Sequence, residues 1–245
     1  MISKTQLKFL TSLKQKKYRL EHQQFLVDNP KVIFEEISND ALDSIFATTE
    51  FFQEHEDKIP ADLFEGLRGS DLKKITSSVT PQGIVAVFNI NEPREFDQQD
   101  KNILLLENIQ DPGNMGTIIR TADWFGFENI FLSEDCVDIY NPKVVAASMG
   151  SIFHINVFQD LNLINFTKGL KDNKYNILVS DLDGSQDKID SSQPTALVIG
   201  NEAQGVSPAL KSLADFKIKI PKIGQAESLN AAVATGIFMH KIKQS

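Results

Sequence analysis

Several features that define common protein classes are missing from this sequence of 245 residues. Its single cysteine, Cys136, cannot form an internal disulfide and cannot by itself build a zinc site. No window holds the roughly 18 consecutive apolar residues of a membrane helix, and the N-terminus has no apolar block typical of a signal peptide. The G-x-G-x-x-G spacing of dinucleotide-binding folds is also absent. These absences predict a cytoplasmic protein with no membrane partner and no metal.

The composition is that of a folded protein. Hydrophobic residues make up 41% of the chain and charged residues 24%, which is too apolar for a disordered protein. The net charge of -8 argues mildly against a nucleic-acid partner. Residues 1–20, however, carry six basic side chains and no acidic one. Two interpretations stay open for this segment, a solvated helix face or a local contact with an RNA backbone, because counterion release is local to the contact.

One polar segment divides the chain. Residues 91–100 are acidic, contain Pro93 and separate two apolar runs, Gly83–Phe88 and Ile103–Leu106. We therefore predict a domain boundary there, with one domain over residues 1–95 and another over residues 101–245. The first should be a small α/β domain, with helices over Thr5–Leu20 and from Pro30 and with strands at Phe25–Val27, Ser44–Thr48 and Gly83–Phe88.

The second predicted domain alternates more regularly. Short apolar strands are predicted at Ile103–Leu106, Asn129–Leu132, Ile155–Phe158, Asn176–Val179, Ala196–Ile199 and Lys217–Ile220. Helical segments lie between them, and a last helix is predicted over Leu229–Ile242. Non-alternating apolar strands separated by helices predict a parallel sheet with helices on both faces.

Ligands of such sheets bind beyond the carboxyl ends of the strands, and unusual residues follow three of the predicted strands. After the first comes a glycine-containing turn with Asn114 at a plausible helix start and Arg120 two turns further on. Taken alone, this pattern is better explained by a turn with a capping asparagine and a surface arginine.

The other two segments are similarly ambiguous when each is taken alone. Glu202 lies between Gly200 and Gly205 directly after a strand, where a carboxylate is usually solvated. The last predicted strand is followed by Ser228-Leu229-Asn230, in which Ser228 could simply cap the final helix.

Together, the order and spacing of the three segments resemble the SpoU-type, or TrmH-like, RNA ribose 2′-O-methyltransferases of the SPOUT class. The matching motifs are Asn114-x-Gly116-x-x-x-Arg120, Ile199-Gly200-Asn201-Glu202-x-x-Gly205 and Ile220-Pro221-x-x-Gly224-x-x-x-Ser228-Leu229-Asn230. The resemblance covers residues 102–243 closely. It extends loosely over the N-terminal part, which is similar to an L30e-like substrate-binding domain but has Asp28-Asn29 where a Glu-Gly pair is usual.

The resemblance implies a fold and a cofactor. The parallel sheet would carry a C-terminal trefoil knot, and S-adenosyl-L-methionine would lie bent in it, held by backbone groups at Gly200, Ile220 and Leu229. The enzymes of this family are homodimers in which the arginine that corresponds to Arg120 is thought to work near the cofactor of the partner. Here we expect the small-residue face of the last helix, with the first-motif helix, to form the two-fold interface.

The resemblance also implies site residues, which are Asn114, Arg120, Glu202, Ser228 and Asn230. Because arginine does not readily deprotonate, we expect Arg120 to hold the target phosphate and stabilise the developing alkoxide. Ser228 and Asn230 would orient the ribose, while Asn114 and Glu202 would fix the loops and Arg120. The substrate predicted is structured RNA, with ribosomal RNA favoured over tRNA by the additional N-terminal domain.

Two other classes of protein remain as alternatives. A catalytically silent RNA-binding module could have kept the same fold, but the presence of Arg120, Glu202, Ser228 and Asn230 argues against it. A nucleotide-dependent oxidoreductase on an ordinary doubly wound sheet is disfavoured by the missing glycine fingerprint.

Overall fold

The structure is a computed structural model, and it describes residues 1–97, 102–185 and 193–244. Clustering of contacts divides the chain into two compact units. The first contains Met1–Glu92 and a later stretch, Asp138–Gly150. The second contains Pro93–Val137 and Ser151–Ser245. None of the helices in the described residues is both long enough and apolar enough to cross a membrane.

Helices and strands alternate along most of the chain. The helices are α1 (Lys4–Ser12), α2 (Lys16–His22), α3 (Pro30–Glu35), α4 (Thr49–Glu54), α5 (Gly69–Ile75), α6 (Pro112–Phe125), α7 (Pro142–Ser148), α8 (Leu163–Asp172), α9 (Pro208–Lys211) and α10 (Ala231–Lys243), with a short 3-10 helix at Ser151–Phe153. The strands are β1 (Gln24–Val27), β2 (Leu42–Ala47), β3 (Phe64–Gly66), β4 (Ile84–Asn89), β5 (Asn102–Leu106), β6 (Asn129–Ser133), β7 (Asn156–Leu161), β8 (Asn176–Ser185), β9 (Thr195–Ile199) and β10 (Phe216–Ile218).

The sheet of the first unit has the strand order β1-β4-β2-β3. Strand β4 is antiparallel to both of its neighbours, and β3 is parallel to β2. The core between this sheet and α1 and α5 is formed by fully buried leucine, valine and isoleucine side chains, among them Leu10, Ile75 and Val85. Burial of such side chains contributes about 1.5–3 kcal/mol each, so this core is a main source of the unit's stability.

The single helix predicted over Thr5–Leu20 is wrong, because the chain turns between α1 and α2. At this turn the Nζ of Lys14 donates to the backbone oxygens of Lys74 and Thr76, both at 3.1 Å. Leu13, the last leucine of the helical pattern, is fully buried beside the turn. A contact with α5, distant in sequence, thus overrides the local helical periodicity.

A buried ion pair also belongs to the first unit. Arg19 is only 3% exposed, its guanidinium pairs with the carboxylate of Asp138, and its Nη1 donates to the backbone oxygen of Leu13 at 2.8 Å. Burial, with the charge of Asp138 adding to it, raises the pKa of the neighbouring Tyr140 to about 12. One of the six basic side chains of residues 1–20 is therefore a structural group and is not available to RNA.

The sheet of the second unit has the strand order β10-β8-β9-β5-β6-β7, and all its pairings are parallel. The prediction of a parallel sheet is confirmed. Strands β5 and β9 carry continuous runs of side chains that are fully buried or nearly so, as expected when both faces are covered. Strand β8 is longer than predicted and runs to Ser185, whereas β10 ends earlier, at Ile218.

The order of these strands determines where a ligand can bind. From β5 the chain proceeds to β6 and β7 on one side, and the later strands β8, β9 and β10 lie on the other. The carboxyl ends of β5 and β9 are therefore neighbours at the position where the strand order reverses, and such a switch point opens a crevice. The first two sequence motifs follow these two strands.

Candidate active site

The first-motif loop leads from β5 into α6. Asp111 is the residue that caps this helix, because its Oδ1 accepts the backbone N–H of Asn114 at 2.7 Å. Pro112 occupies the first helical position, where its missing N–H costs nothing. The expectation that Asn114 itself starts the helix is thus corrected, and its side chain is free for other contacts.

Asn114 joins all three motifs. Its Nδ2 donates to the Oε1 of Glu202, and its Oδ1 accepts from the Nδ2 of Asn230 at 2.8 Å. These residues lie 88 and 116 positions away in the sequence. A neutral amide can donate and accept at the same time, which explains why an asparagine suits this position.

Asn230 begins the last helix. Its Oδ1 accepts from the backbone N–H groups of Ala232 and Val233 at 2.9 and 3.3 Å. Helix α10 therefore starts at Ala231 and is capped by Asn230, which corrects the predicted start at Leu229 and the assignment of Ser228 as a cap. Ser228 is exposed and lies one residue before Leu229 at the mouth of a cavity.

The second-motif loop is tied to the end of β5. The Nδ2 of Asn201 donates to the backbone oxygen of Asn108 at 3.0 Å, and the N–H of Ser207 donates to the Oε2 of Glu107 at 2.7 Å. Gly200 is required here, because a Cβ at this position would lie 2.3 Å from the backbone of Gly205. The loop is consequently held in one conformation by both side-chain and backbone contacts.

A cavity of about 550 Å³ lies against these loops, within the ~300–1,000 Å³ usual for small-ligand sites. Five of the predicted site residues line it, namely Gly200, Glu202, Ile220, Ser228 and Leu229. Ile199 and Phe238 give it an apolar wall, and polar backbone from residues 200–205 and 219–224 completes it. Apolar walls with a few polar groups fit a ligand that has an adenine ring and a charged tail.

The end of β8 contributes residues to the cavity that the motifs did not indicate. Asp181 lines it and pairs with Lys211 of α9, with 3.1 Å between Oδ2 and Nζ. Desolvation by burial raises the pKa of Asp181, but the N–H of Asp183 and the ammonium of Lys211 outweigh it, so the net pKa is lowered. Asp181 lies two residues after the predicted strand Asn176–Val179, so its position beyond the carboxyl end of that predicted strand was the available signal.

Arg120 is placed differently from the other predicted residues. It is exposed on α6 and is not among the residues that line the cavity, and its side chain forms no hydrogen bond or ion pair with another residue of the described ranges. Its guanidinium is therefore free to bind an anion. Within one chain, the structure brings together Asn114, Glu202 and Asn230 but does not bring Arg120 to them.

The only thiol is not suited to act as a nucleophile. Burial raises the pKa of Cys136, and its Sγ contacts the backbone of Leu106 and Ile109 instead of the cavity. Among the described residues there is also no group of three or more His, Cys, Asp or Glu side chains arranged to hold a metal ion.

A parallel sheet with a ligand cavity lined by the loops that follow β9 and β10, which carry the second and third motifs, defines an α/β domain of the SPOUT methyltransferase class. Residues 101–240 match the SpoU rRNA Methylase family, and residues 4–86 match the MRM3-like substrate binding domain. The chain belongs to the SpoU rRNA methylase family. The prediction of an S-adenosylmethionine-dependent RNA methyltransferase is thereby confirmed.

Three relatives illustrate this membership. The 23S rRNA (guanosine(2553)-2′-O)-methyltransferase RlmP of Bacillus subtilis strain 168 is 34% identical over 235 residues, which cover 93% of this chain and 92% of RlmP. A TrmH-family protein from Porphyromonas gingivalis has a TM-score of 0.86 at 33% identity and covers 100% of this chain and 99% of its own. The AdoMet-bound rRNA methyltransferase from Sinorhizobium meliloti also has a TM-score of 0.86, at 29% identity, with 100% and 97% covered.

Proposed function

We propose that this protein transfers a methyl group from S-adenosylmethionine to a ribose 2′-hydroxyl of ribosomal RNA in the cytoplasm. The observation that carries the proposal is the hydrogen-bonded group Asn114, Glu202 and Asn230, which joins three motif loops at the edge of the cavity. The relationship to RlmP over nearly the whole chain supports ribosomal RNA as the substrate.

The cavity would hold the cofactor through Gly200, Ile220 and Leu229, all of which line it. Bound there, S-adenosylmethionine supplies an electrophilic methyl group on a positively charged sulfur. Asp181 and Lys211 place an ionised carboxylate and an ammonium on the same wall, which suits a ligand with charges of both signs.

The polar residues divide into two roles. Asn114 and Glu202 are positioning residues, because their hydrogen bond holds the first-motif helix against the second-motif loop. Asn230 uses its oxygen to cap α10 and one N–H to bind Asn114, which leaves a single N–H for the ribose. Ser228 lines the cavity, and its hydroxyl is the group best placed to orient the substrate.

Arg120 would act on the RNA of a partner subunit. A guanidinium at the attacking oxygen stabilises the developing alkoxide and holds the neighbouring phosphate, and neither role requires it to lose a proton. Its exposure, and its position outside the cavity of its own chain, favour a site completed across a homodimer. Helices α6 and α10 would form the interface, because they contact each other and expose Trp124 (84%), Val233 (51%) and Ile237 (41%).

The C-terminal segment would form a trefoil knot that builds the cavity wall. Close passage of two backbone segments supports this proposal, because a Cβ on Gly184 would lie 2.6 Å from the backbone of Lys217. We further propose that residues 1–95 form an L30e-like substrate-binding domain and residues 101–245 the catalytic domain. The family matches over residues 4–86 and 101–240 support this division, although residues 138–150 belong to the first compact unit.

Methyl transfer from tritiated S-adenosylmethionine to unmodified 23S ribosomal RNA tests the proposal. Digestion of the product should release a 2′-O-methylated nucleoside, and tRNA should accept little label. Label on a base, or on tRNA only, would overturn the assignment of reaction or substrate. A protein that binds S-adenosylmethionine but methylates none of these RNAs would instead be the silent binding module.

A further inference from the structure

A cluster of lysines in the first unit is not explained by the methyltransferase site. We define the basic patch as Lys14, Lys16, Lys17, Lys73 and Lys74. Lys14 connects it, because its Nζ donates to the backbone oxygen of Lys74 at the end of α5. The turn between α1 and α2, which carries Lys16 and Lys17, is thereby held against the helix end that carries Lys73 and Lys74.

The charges of the basic patch are largely uncompensated. Lys16, Lys17 and Lys73 are exposed and form no ion pair with another residue of the described ranges. Lys74 pairs with Asp71 at 2.8 Å, whereas Lys14 is bound to backbone carbonyl oxygens, which carry no compensating negative charge.

The sequence around the basic patch contains almost no acid. Neither residues 1–20 nor residues 72–82 include an aspartate or glutamate, although the whole chain has a net charge of -8. Two acids lie close to the patch: Asp71 pairs with Lys74, and Asp28 accepts a hydrogen bond from the hydroxyl of Thr76. A positive surface persists here on a protein that is otherwise strongly acidic, which is the electrostatic pattern of a nucleic-acid contact.

We infer that the basic patch binds the phosphate backbone of the RNA that this enzyme modifies. The inference rests on the proposed function, and it identifies the part of the protein surface that binds the substrate RNA. Lysine ammonium groups bind phosphates as mobile point charges and do not read the bases. The patch therefore supplies affinity and on-rate, while the choice of nucleotide is made elsewhere.

The magnitude follows from counterion release. Each phosphate contact contributes about 0.7 for single strands or 0.9 for duplex to the slope of log affinity against log salt. Replacing three lysines of the patch should reduce the slope by about 2–3 and weaken binding about 10²-fold near 0.1 M salt.

The experiment measures binding of a fluorescein-labelled fragment of 23S ribosomal RNA that spans guanosine 2553, from about 50 to about 200 mM salt. The test variant is Lys16→Ala/Lys17→Ala/Lys73→Ala. The matched control, Lys31→Ala/Lys58→Ala/Lys168→Ala, removes the same charge from exposed lysines elsewhere. The arginine variant Lys16→Arg/Lys17→Arg/Lys73→Arg should bind like the wild type, and urea unfolding followed by circular dichroism checks that each variant is folded.

The inference is supported if the salt slope falls in the alanine variant of the patch and stays unchanged in the control variant. An equal loss of slope in the control variant would show that only the net charge of the protein matters. No loss of slope in either variant would show that the patch is a solvated helix face or a surface for another protein. Each of these two results would overturn the inference. Failure of the proposed function has a different signature, which is a wild-type protein that binds this RNA without methylating it.

Discussion

Replacing Asn114 by aspartate tests the hydrogen-bonded group at the centre of the site with the smallest possible change. In Asn114→Asp the oxygen that accepts from Asn230 is kept. The donor to Glu202, however, is replaced by a second oxygen, so that two carboxylates meet where an amide and a carboxylate now form a hydrogen bond. The change is nearly isosteric, and any effect is therefore electrostatic.

The size of the effect can be worked out from this contact. Two unit charges about 4 Å apart repel by about 1 kcal/mol in water and by about 4 kcal/mol at an effective dielectric constant of 20. The contact is exposed, so solvent screening keeps the repulsion toward the lower value. Loss of a hydrogen bond to a charged acceptor adds about 1.5–3 kcal/mol. Glu202 lines the cavity, and if half of the total reaches the ligand, the affinity for S-adenosylmethionine falls about 10–100-fold.

Isothermal titration with S-adenosylmethionine measures this loss directly. The double variant Asn114→Asp/Glu202→Gln should recover most of the affinity, because the hydrogen bond is restored with its donor and acceptor exchanged. Lowering the pH should also rescue Asn114→Asp, since a proton shared by two carboxylates removes their repulsion. Glu202→Gln alone should bind nearly as well as the wild type, because Asn114 can still donate to the amide oxygen.

Two results would contradict the role assigned to the hydrogen bond between Asn114 and Glu202. If Asn114→Asp binds S-adenosylmethionine as tightly as the wild type, the hydrogen bond does not shape the cavity. If the double variant is no better than the single one, the loss has a cause other than repulsion between residues 114 and 202.

Other parts of the structure give predictions of the same kind. Arg120→Lys should lower turnover about 10²–10³-fold and leave S-adenosylmethionine affinity unchanged, and a parallel loss of affinity in titration would contradict its role at the RNA. Mixed dimers of Arg120→Ala and Ser228→Ala should regain about one working site, whereas dimers as inactive as both parents would place the site within one chain. Gly200→Ala should abolish cofactor binding while circular dichroism stays native, because the new methyl group overlaps backbone at 2.3 Å. Asp138→Ala should cost about 3–5 kcal/mol in urea unfolding, since it leaves a buried arginine unpaired, while the exposed pair lost in Glu35→Ala should cost less than about 1 kcal/mol; similar values for both would count against the buried pair.

The second unit was predictable from the sequence because its strands are short apolar runs. Strands such as β5 and β9 are buried on both faces and therefore need no alternation, and each ends at a polar, glycine-containing loop. The polar residues at these strand ends meet because the sheet is parallel, which sequence reasoning can anticipate. The pairing of Asn114 with both Glu202 and Asn230 could not be anticipated, since it depends on which of several polar side chains reaches the others.

The first unit was less predictable, for a physical reason. Strand β3 has three half-buried residues and no apolar alternation, and it exists because it pairs with β2. The break between α1 and α2 likewise depends on the contact of Lys14 with α5. Short elements that are stabilised by tertiary contacts leave little pattern in their own sequence. Helix caps such as Asp111 and Asn230 can be recognised only once the start of the helix is known.

The discontinuity of the first unit limits how this protein can be recombined. Arg19 and Asp138 form one ion pair, and the rings of Phe25 and Tyr140 pack with their centroids 4.8 Å apart, although residues 93–137 of the other unit separate the two stretches in sequence. In a gene fusion that replaces only residues 1–92 with the corresponding segment of another protein, Asp138 and Tyr140 would face residues that did not evolve to pack with them. Residues 1–92 alone therefore do not make up the complete N-terminal unit. Domain shuffling within this family would have to transfer residues 138–150 together with residues 1–92, or accept an arginine buried without its carboxylate.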